Sequence, residues 1–260
     1  MSIRPRPSAV IGTTRLHVRQ VSQFGTSLDT RRAAAGGFAK MGDPTIGEVA
    51  RRSVEAARVL YRHNIDFCCG GQRTLHDACA AAQVQPDALL AEISAEENAA
   101  PAASERWDRA PLPSLVRHLV EVDHRRHRDE LARLEALAMR VREAHPEAAD
   151  RLAPLVDRVE SLRQEVLAHF EKEESVLFPW IGAGRGRSAQ EPVQAMHRDH
   201  EHFADLLAAI RRATSDFEAP PEACASWRAL WAGLRELDFG LRQHIHLENN
   251  VLFPRALQGW

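Results

Sequence analysis

The chain has 260 residues, with 34 Lys and Arg against 36 Asp and Glu and a formal net charge of −2. No apolar run approaches the ~18 residues of a membrane span, and the near-neutral charge gives no support for nucleic-acid binding. Thirteen His stand against one Tyr and four Cys, too few cysteines for a disulfide-built scaffold, and no secretory signal is visible, so a cytoplasmic location is expected. The histidine excess raises metal binding or proton chemistry as the first question.

Charge is unevenly spread. Residues 1–40 carry seven basic side chains and one acid, Asp29, which makes +6 and leaves −8 for the other 220 residues. This head has no apolar periodicity and reads as a disordered basic extension, or as the product of a mispredicted start with translation beginning at Met41. Its composition would also suit a transit peptide, a reading set below the other two. From Met41 the pattern changes. Thr45 and Glu48 have capping-box spacing, which predicts a helix running to about Arg62. A turn over Asn64–Gly71 follows, then helices near Thr74–Ala82 and Pro86–Ile93. Residues 41–100 thus form a small helical unit, marginal for a core of its own. The stretch Ser94–Ser104 reads as a linker, and the two parts are divided at 101–110.

Residues 111–260 hold four long helical patterns and no competing strand pattern. Breaks fall at His145-Pro146, from Pro179 to Ser188, and at Ala219-Pro220-Pro221. The fold class is therefore all-α, a small helical unit followed by an up-down-up-down four-helix bundle. An alternating 4/3 spacing picks out the seam each helix turns to the core. It selects Val120, His124, His127, Leu131, Leu134, Ala138 and Val141 on the first helix. On the second it selects Leu152 through Val166, then His169, Glu173 and Val176. On the third it selects Val193, Met196, His200, Phe203, Leu207 and Ile210, and on the fourth Trp227 through Leu241, then His244, Glu248 and Val251.

These seams are apolar except for His124, His127, His169, Glu173, His200, His244 and Glu248. Burying one such group unpaired costs several kcal/mol, so seven need a shared explanation. At 1.5 Å per residue, His124, His169, His200 and His244 all lie about 14–18 Å from the same end of an antiparallel bundle. Each Glu follows a His by four residues and projects from the same face. The pattern His-x-x-x-Glu-x-x-Val-Leu-Phe-Pro occurs at His169–Pro179 and again at His244–Pro254, 75 residues later. Two related hairpins facing each other about a pseudo-twofold axis would account for it.

Imidazole and carboxylate ligands suit Fe, Mn or Zn rather than Ca or Mg. Six ligands exceed a tetrahedral zinc site. A two-metal site fits: two His on each metal, Glu173 and Glu248 bridging, an oxo or hydroxo bridge, and one open position per metal. A metal-free polar layer that sets register is the plainer alternative. His127 is either a residue that orients a ligand or one that lines the open site. His197, His202 and His246 fall off the seams and are expected at the surface. Trp227, Trp231 and Phe203 are expected in the core. Cys68-Cys69, set before Gly70-Gly71, is expected on a flexible turn with accessible thiols. Its two readings are a redox, cluster-handling or client-docking pair, and a turn with merely buried cysteines. Cys79 and Cys224 are expected to be structural and helical.

The paired motifs, with His124 and His200, resemble hemerythrin-like di-iron domains. Ile65-Asp-Phe-Cys68-Cys69-Gly70-Gly71 with Thr74-Leu75, and the stretch His244–Ala256 (HIHLENNVLFPRA), resemble the iron–sulfur cluster repair di-iron proteins, the Repair of Iron Centers family. The resemblance covers Gly42 to the C-terminus. It implies a non-haem di-iron centre, oxo- or hydroxo-bridged, on His124, His169, Glu173, His200, His244 and Glu248. It also implies repair of iron–sulfur clusters after nitrosative or oxidative stress, through iron donation, NO handling or both. Damaged iron–sulfur proteins and the gases NO and O₂ are the implied partners, without nucleic acid or membrane, and with a homodimer left open. Oxygen-carrying hemerythrins use five His with a bridging Glu and Asp; here four seam His and a second Glu occupy the layer, which argues against reversible O₂ carriage. The alternatives are an O₂- or NO-binding or sensing protein and an NO-reducing or peroxide-consuming di-iron enzyme. Whether the chain turns over a substrate is left open.

Overall fold

Thr45 stops the first helix from fraying: its side chain accepts from Glu48 N, and Glu48 in turn accepts from Thr45 N at 2.8 Å. A computed structural model describes residues 42–100 and 106–259. The basic head and part of the linker lie outside the described residues. The capped helix is shorter than expected. Helix α1 spans Ile46–Ala50 and stops, and α2 spans Val54–Arg62. Ser53 causes the break, because its extended backbone and its side-chain bond from Ala56 N start a new helix. Helix α3 spans Leu75–Ala82, and α4 spans Pro86–Ala99. The expected linker is thus helical through Ala99. Arg52 and Ser53 hold Glu97 at 2.7 and 2.9 Å, and Arg62 holds Glu92 and Glu96. Those cross-contacts continue α4 beyond Ile93, where its own apolar pattern ends.

Four helical passes follow. The first is α5 (Leu112–His118), a π-helical turn at Leu119–His124, and α6 (Arg125–Ala144). The second is α7 (Ala149–Lys172), a π-helical turn at Glu173–Leu177, and α8 (Phe178–Gly182). The third is α9 (Gln190–Ala213). The fourth is α10 (Ala225–Leu247), a π-helical turn at Glu248–Leu252, and α11 (Phe253–Gln258). No strand is formed among the described residues, and none of their helices is long and apolar enough to cross a membrane.

The π-helical turns correct the seam. One extra residue per turn shifts the register by one position. Leu119, not Val120, is fully buried on the first pass. On the second, Leu177 is buried while Val176 is 44% exposed. The strict 4/3 count holds on α9, which has no π turn: Val193, Met196, His200, Phe203, Leu207 and Ile210 are all buried.

Apolar side chains gather in three places. One cluster fills the small unit, with Ile46, Leu60, Phe67, Leu89 and Ile93 among its members. Two more fill the bundle on either side of the polar layer. Leu134, Leu162, Trp227 and Leu234 lie on one side, and Leu119, Phe178, Val193 and Phe253 on the other. The small unit and the bundle exchange residues: Phe239 of α10 packs into the small unit's cluster, and Cys68 packs into the bundle's.

Polar contacts fasten the same contact face. Asp238, 1% exposed, accepts from Arg242 Nε at 2.6 Å and from Tyr61 Oη at 3.0 Å. The Arg58 guanidinium lies 4.2 Å from the centre of the Phe239 ring. Removing Asp238 would leave the half-buried Arg242 without its ion-pair partner. Asp238→Ala is expected to cost about 3–5 kcal/mol and Tyr61→Phe about 1 kcal/mol, read as shifts in the urea unfolding midpoint.

Candidate metal centre

The π-helical turns all meet ligand-type residues. His124 ends the first, Glu173 begins the second and Glu248 begins the third. Such turns widen the helix and re-aim the side chains at their ends. Two groups of four side chains result, His124, Glu173, His244 and Glu248, and His169, Glu173, His200 and Glu248. Within each group the candidate ligand atoms lie within 4.8 Å of one another. Both groups contain Glu173 and Glu248. Glu173 presents Oε2 to His124 Nε2 and Oε1 to His169 Nε2, each at 3.4 Å. Glu248 Oε2 lies 3.2 Å from His200 Nε2 and 3.4 Å from His244 Nε2. Ligand bonds of about 2.1 Å to one cation place neighbouring ligand atoms about 3.0–3.4 Å apart, which matches.

The chemistry of the donor set also calls for cations. All six residues are buried, none more than 2% exposed. Both oxygens of Glu173 and of Glu248, with Nε2 of His124 and of His244, have no hydrogen-bond partner. His169 Nδ1–H donates to Asp199 at 3.0 Å and His200 Nδ1–H donates to Asn249 Oδ1 at 2.8 Å. The two Nε2 atoms face each other at 3.1 Å. Against burial, Glu173 and Asp199 together raise the His169 imidazole to about 9, so this pair attracts a positive charge, a proton or a cation. Burial first, and the neighbouring Glu173 second, push the Glu248 carboxyl well above its usual range. Two carboxyl groups without a hydrogen-bond partner and four inward imidazoles form a donor set that a cation placed among them would satisfy.

Of the remaining Nδ1 atoms, that of His124 is held from outside. His124 Nδ1–H donates to Glu174 Oε1 at 2.6 Å, and Arg128 reaches the same oxygen at 3.0 Å. Asp199 also accepts from Lys172 at 2.8 Å. The Asp199 carboxyl is lowered to about 2, chiefly by its bond to His169. His244 Nδ1 lies 3.7 Å from Asp123, too far for a direct hydrogen bond. Aromatic rings exclude water: Phe170 stacks on His124 at 3.8 Å, Phe203 sits edge-on to His169 at 5.1 Å, and Phe253 lies parallel to His200 at 6.1 Å.

His127 joins neither group. Its ring sits 5.7 Å from that of His244, and with His244, Asp123 and Gln243 it lines a cleft of about 290 Å³ between the small unit and the bundle. Of the two roles open to it, the structure places it as a lining residue. Burial pushes its imidazole down to about 3, which keeps it neutral. His202 is exposed and pairs with Glu165 at 2.8 Å. His246 is not a surface residue as expected. It is 1% exposed, and its Nδ1–H donates to Phe67 O at 3.2 Å. Its position is off the bundle seam because it faces the small unit instead. His197 is half-buried, edge-on to Phe253. Trp227, Trp231 and Phe203 lie in the core.

The cysteine turn differs from expectation. Asp66 caps it: Oδ1 accepts from Cys68 N and Cys69 N at 3.0 Å, and Oδ2 accepts from Gly70 N at 2.9 Å. Cys68 is 1% exposed, and Cys69 is half-buried. The contact with the Cys69 thiol, with burial second, raises the Cys68 thiol well above its usual range. The glycines serve close approach rather than flexibility. A Cβ on Gly71 would stand 2.2 Å from Asn250 Oδ1, and one on Gly70 would stand 2.9 Å from Asp66 O. Cys79 is buried on α3. Cys224 is neither helical nor buried: it is the exposed N-cap residue of α10, 3.2 Å from His145 Nε2, and that imidazole lowers its thiol.

Two predictions follow from this geometry. Glu173→Leu or Glu248→Leu is expected to abolish two-metal binding while leaving a helical bundle whose metal-free form melts no lower, because an apolar side chain replaces a buried charge. Metal analysis and thermal melts check it. In the folded protein, thiol alkylation followed by peptide mapping is expected to label Cys224 fastest, Cys69 more slowly and Cys68 last.

Comparison with known proteins agrees with this construction. The hemerythrin family described as "Hemerythrin HHE cation binding domain" matches residues 115–256. A domain described as "Domain of Unknown function (DUF542)" matches residues 42–97. Iron-sulfur cluster repair protein YtfE of Citrobacter koseri is 36% identical over 217 residues, covering 84% of this chain and 98% of the relative. The proteins of that name from Escherichia coli O1:K1 and Escherichia fergusonii show the same identity and coverage. With both domains matched in order and nearly the whole relative spanned, the chain belongs to the hemerythrin HHE family and, within it, to the iron–sulfur cluster repair proteins of the YtfE kind.

Proposed function

We propose that the chain repairs damaged iron–sulfur clusters by means of a non-haem di-iron centre. His124 and His244 would hold one iron, His169 and His200 the other, and Glu173 and Glu248 would bridge. The observation that carries this reading is the sharing of both carboxylates by two buried four-residue groups, in a chain whose relatives bear the repair name. When bound, the centre would supply redox-active iron that can be passed to a cluster or meet NO.

The residues' own parts are distinct. Glu174, Asp199 and Asn249 fix imidazole tautomers so that each Nε2 keeps its lone pair for iron. The phenylalanine rings keep water from the donors. Cys68 and Cys69 are candidate cluster-handling thiols, but the seated turn keeps Cys68 protonated and covered. A role on a client therefore requires the turn to leave its seat. The clients are damaged iron–sulfur proteins, and the site of action is the cytoplasm.

The test is recovery of activity by an NO-damaged iron–sulfur dehydratase incubated with the iron-loaded protein. Recovery is expected with the intact chain and not with the His169→Ala, Glu173→Ala variant. Equal recovery from both would overturn the reading.

The cleft lined by His127 and His244 favours a second reading, in which NO enters there. Sustained conversion of NO to N₂O with an electron donor would establish it as an enzyme. A reversible gas adduct with no effect on a client would mark it as a sensor.

A further inference from the structure

The two copies of the repeated motif differ just after the bridging glutamate. The first continues Glu174-Ser175 and the second Asn249-Asn250. Glu174 and Asn249 do corresponding work, since each accepts from Nδ1 of the leading His of a hairpin, at 2.6 Å from His124 and 2.8 Å from His200. The next residues do not correspond. Ser175 turns back to its own helix and donates to Glu171 O at 2.6 Å. Asn250 turns outward and donates to Phe67 O and Cys68 O at 3.2 and 3.1 Å. Asn249 uses its second group in the same direction, with Nδ2 donating to Cys68 O at 3.3 Å. One amide therefore touches a candidate ligand at one end and the cysteine turn at the other. Glu174, a carboxylate without a donor, has no means of doing so. A further contact parallels the link, as Cys69 Sγ approaches His200 O at 3.7 Å.

We propose that Asn249 is a positioning residue that couples the Cys68–Cys69 turn to the His169/His200 half of the centre. Seating of the turn and retention of the metal on that half are then one linked equilibrium. With the turn seated, the amide is clamped and His200 keeps Nε2 aimed inward. With the turn displaced, as by a docked client, the amide loses the acceptor that orients it and His200 loses its fixed tautomer. That half gives up its metal first, while the Glu174-supported half keeps its own. This rests on the two-metal reading of the six side chains but not on repair activity.

Linkage makes the coupling reciprocal: whatever the seated turn adds to metal affinity, metal adds to seating of the turn. The test uses the full chain loaded with ferrous iron under anaerobic conditions, with no client. In a chelator challenge, wild type is expected to lose its two metals in two separable phases. Asn249→Ala is expected to lose one metal about 10- to 100-fold faster and keep the other. Glu174→Ala is expected to do the same for the other metal, and the double variant to lose both quickly.

Hydrogen exchange of the Cys68, Cys69 and Gly70 amides supplies the second readout. In wild type, metal loading is expected to slow it by about 5- to 150-fold. Asn249→Asp separates the two contacts, because a carboxylate still accepts from His200 but cannot donate to Cys68 O. It is expected to retain both metals while turn exchange loses its dependence on them. A purely structural asparagine would not produce that split. Wild-type release kinetics in Asn249→Ala, or turn exchange equal with and without metal in wild type, would overturn the coupling. If wild type bound no metal pair at all, the reading of the site itself would fail, and the two failures are distinguishable. Should Asn249→Ala not fold, as judged by helical circular dichroism, Asn249→Asp decides by the exchange readout alone.

Discussion

A buried layer of four imidazoles and two carboxylates constrains everything else in this structure. In a dry interior its unpartnered carboxyl oxygens and ring nitrogens call for positive charge among them. The layer dictates where the helices can carry apolar residues, which side chains must approach from outside to hold ring nitrogens, and where aromatic rings must exclude water. It also divides the bundle's apolar residues into two clusters, one on each side. A bundle of these four helices without the layer would be a simpler and more stable object. The polar residues are there for what they hold, at a cost in folding energy.

The π-helical turns show how the layer is made to fit. An α-helix turns 100° per residue, and a seam of polar residues and leucines in strict 4/3 register would drift away from the point where the two four-residue groups share Glu173 and Glu248. One extra residue at Leu119–His124, Glu173–Leu177 and Glu248–Leu252 absorbs the drift. Both glutamates shared by the two groups stand at the start of such a turn. The ligand-bearing pass without one is α9, whose His200 is held by an amide from the neighbouring π turn.

The small unit is bound to the bundle by exchange of residues rather than by a flat contact. Phe239 enters one core and Cys68 the other. His246 and Asn250 meet the cysteine turn from within the second copy of the motif. That copy therefore serves two ends, presenting His244 and Glu248 inward and His246, Asn249 and Asn250 toward the small unit. The first copy carries Glu171, Glu174 and Ser175 in their place. The cysteine turn thus lies directly behind a candidate ligand.

Much of this was legible in the sequence. Periodicity gave the all-α bundle and its breaks, and polar residues on apolar seams singled out the six side chains that the structure brings together, because helical spacing alone determines which residues share a face. Capping chemistry located the start of α1 for the same local reason. Other features depended on contacts between distant segments. Val176 and Val120 lost their seam positions to π turns that no local spacing announces. His246 looked superficial until the small unit covered it, and the linker up to Ala99 became helical through Arg52, Ser53 and Arg62. The cysteine turn looked open because its glycines suggested freedom, whereas Asp66 and Asn250 hold it by approaching closer than any Cβ would allow. The sequence by itself determined the apolar seams up to the π turns and the chemistry of the polar residues set in them, since both follow from side-chain type and helical repeat. Only the tertiary structure decided how the two domains interlock and which ligand answers to the cysteine turn, since those depend on pairings across more than a hundred residues of chain.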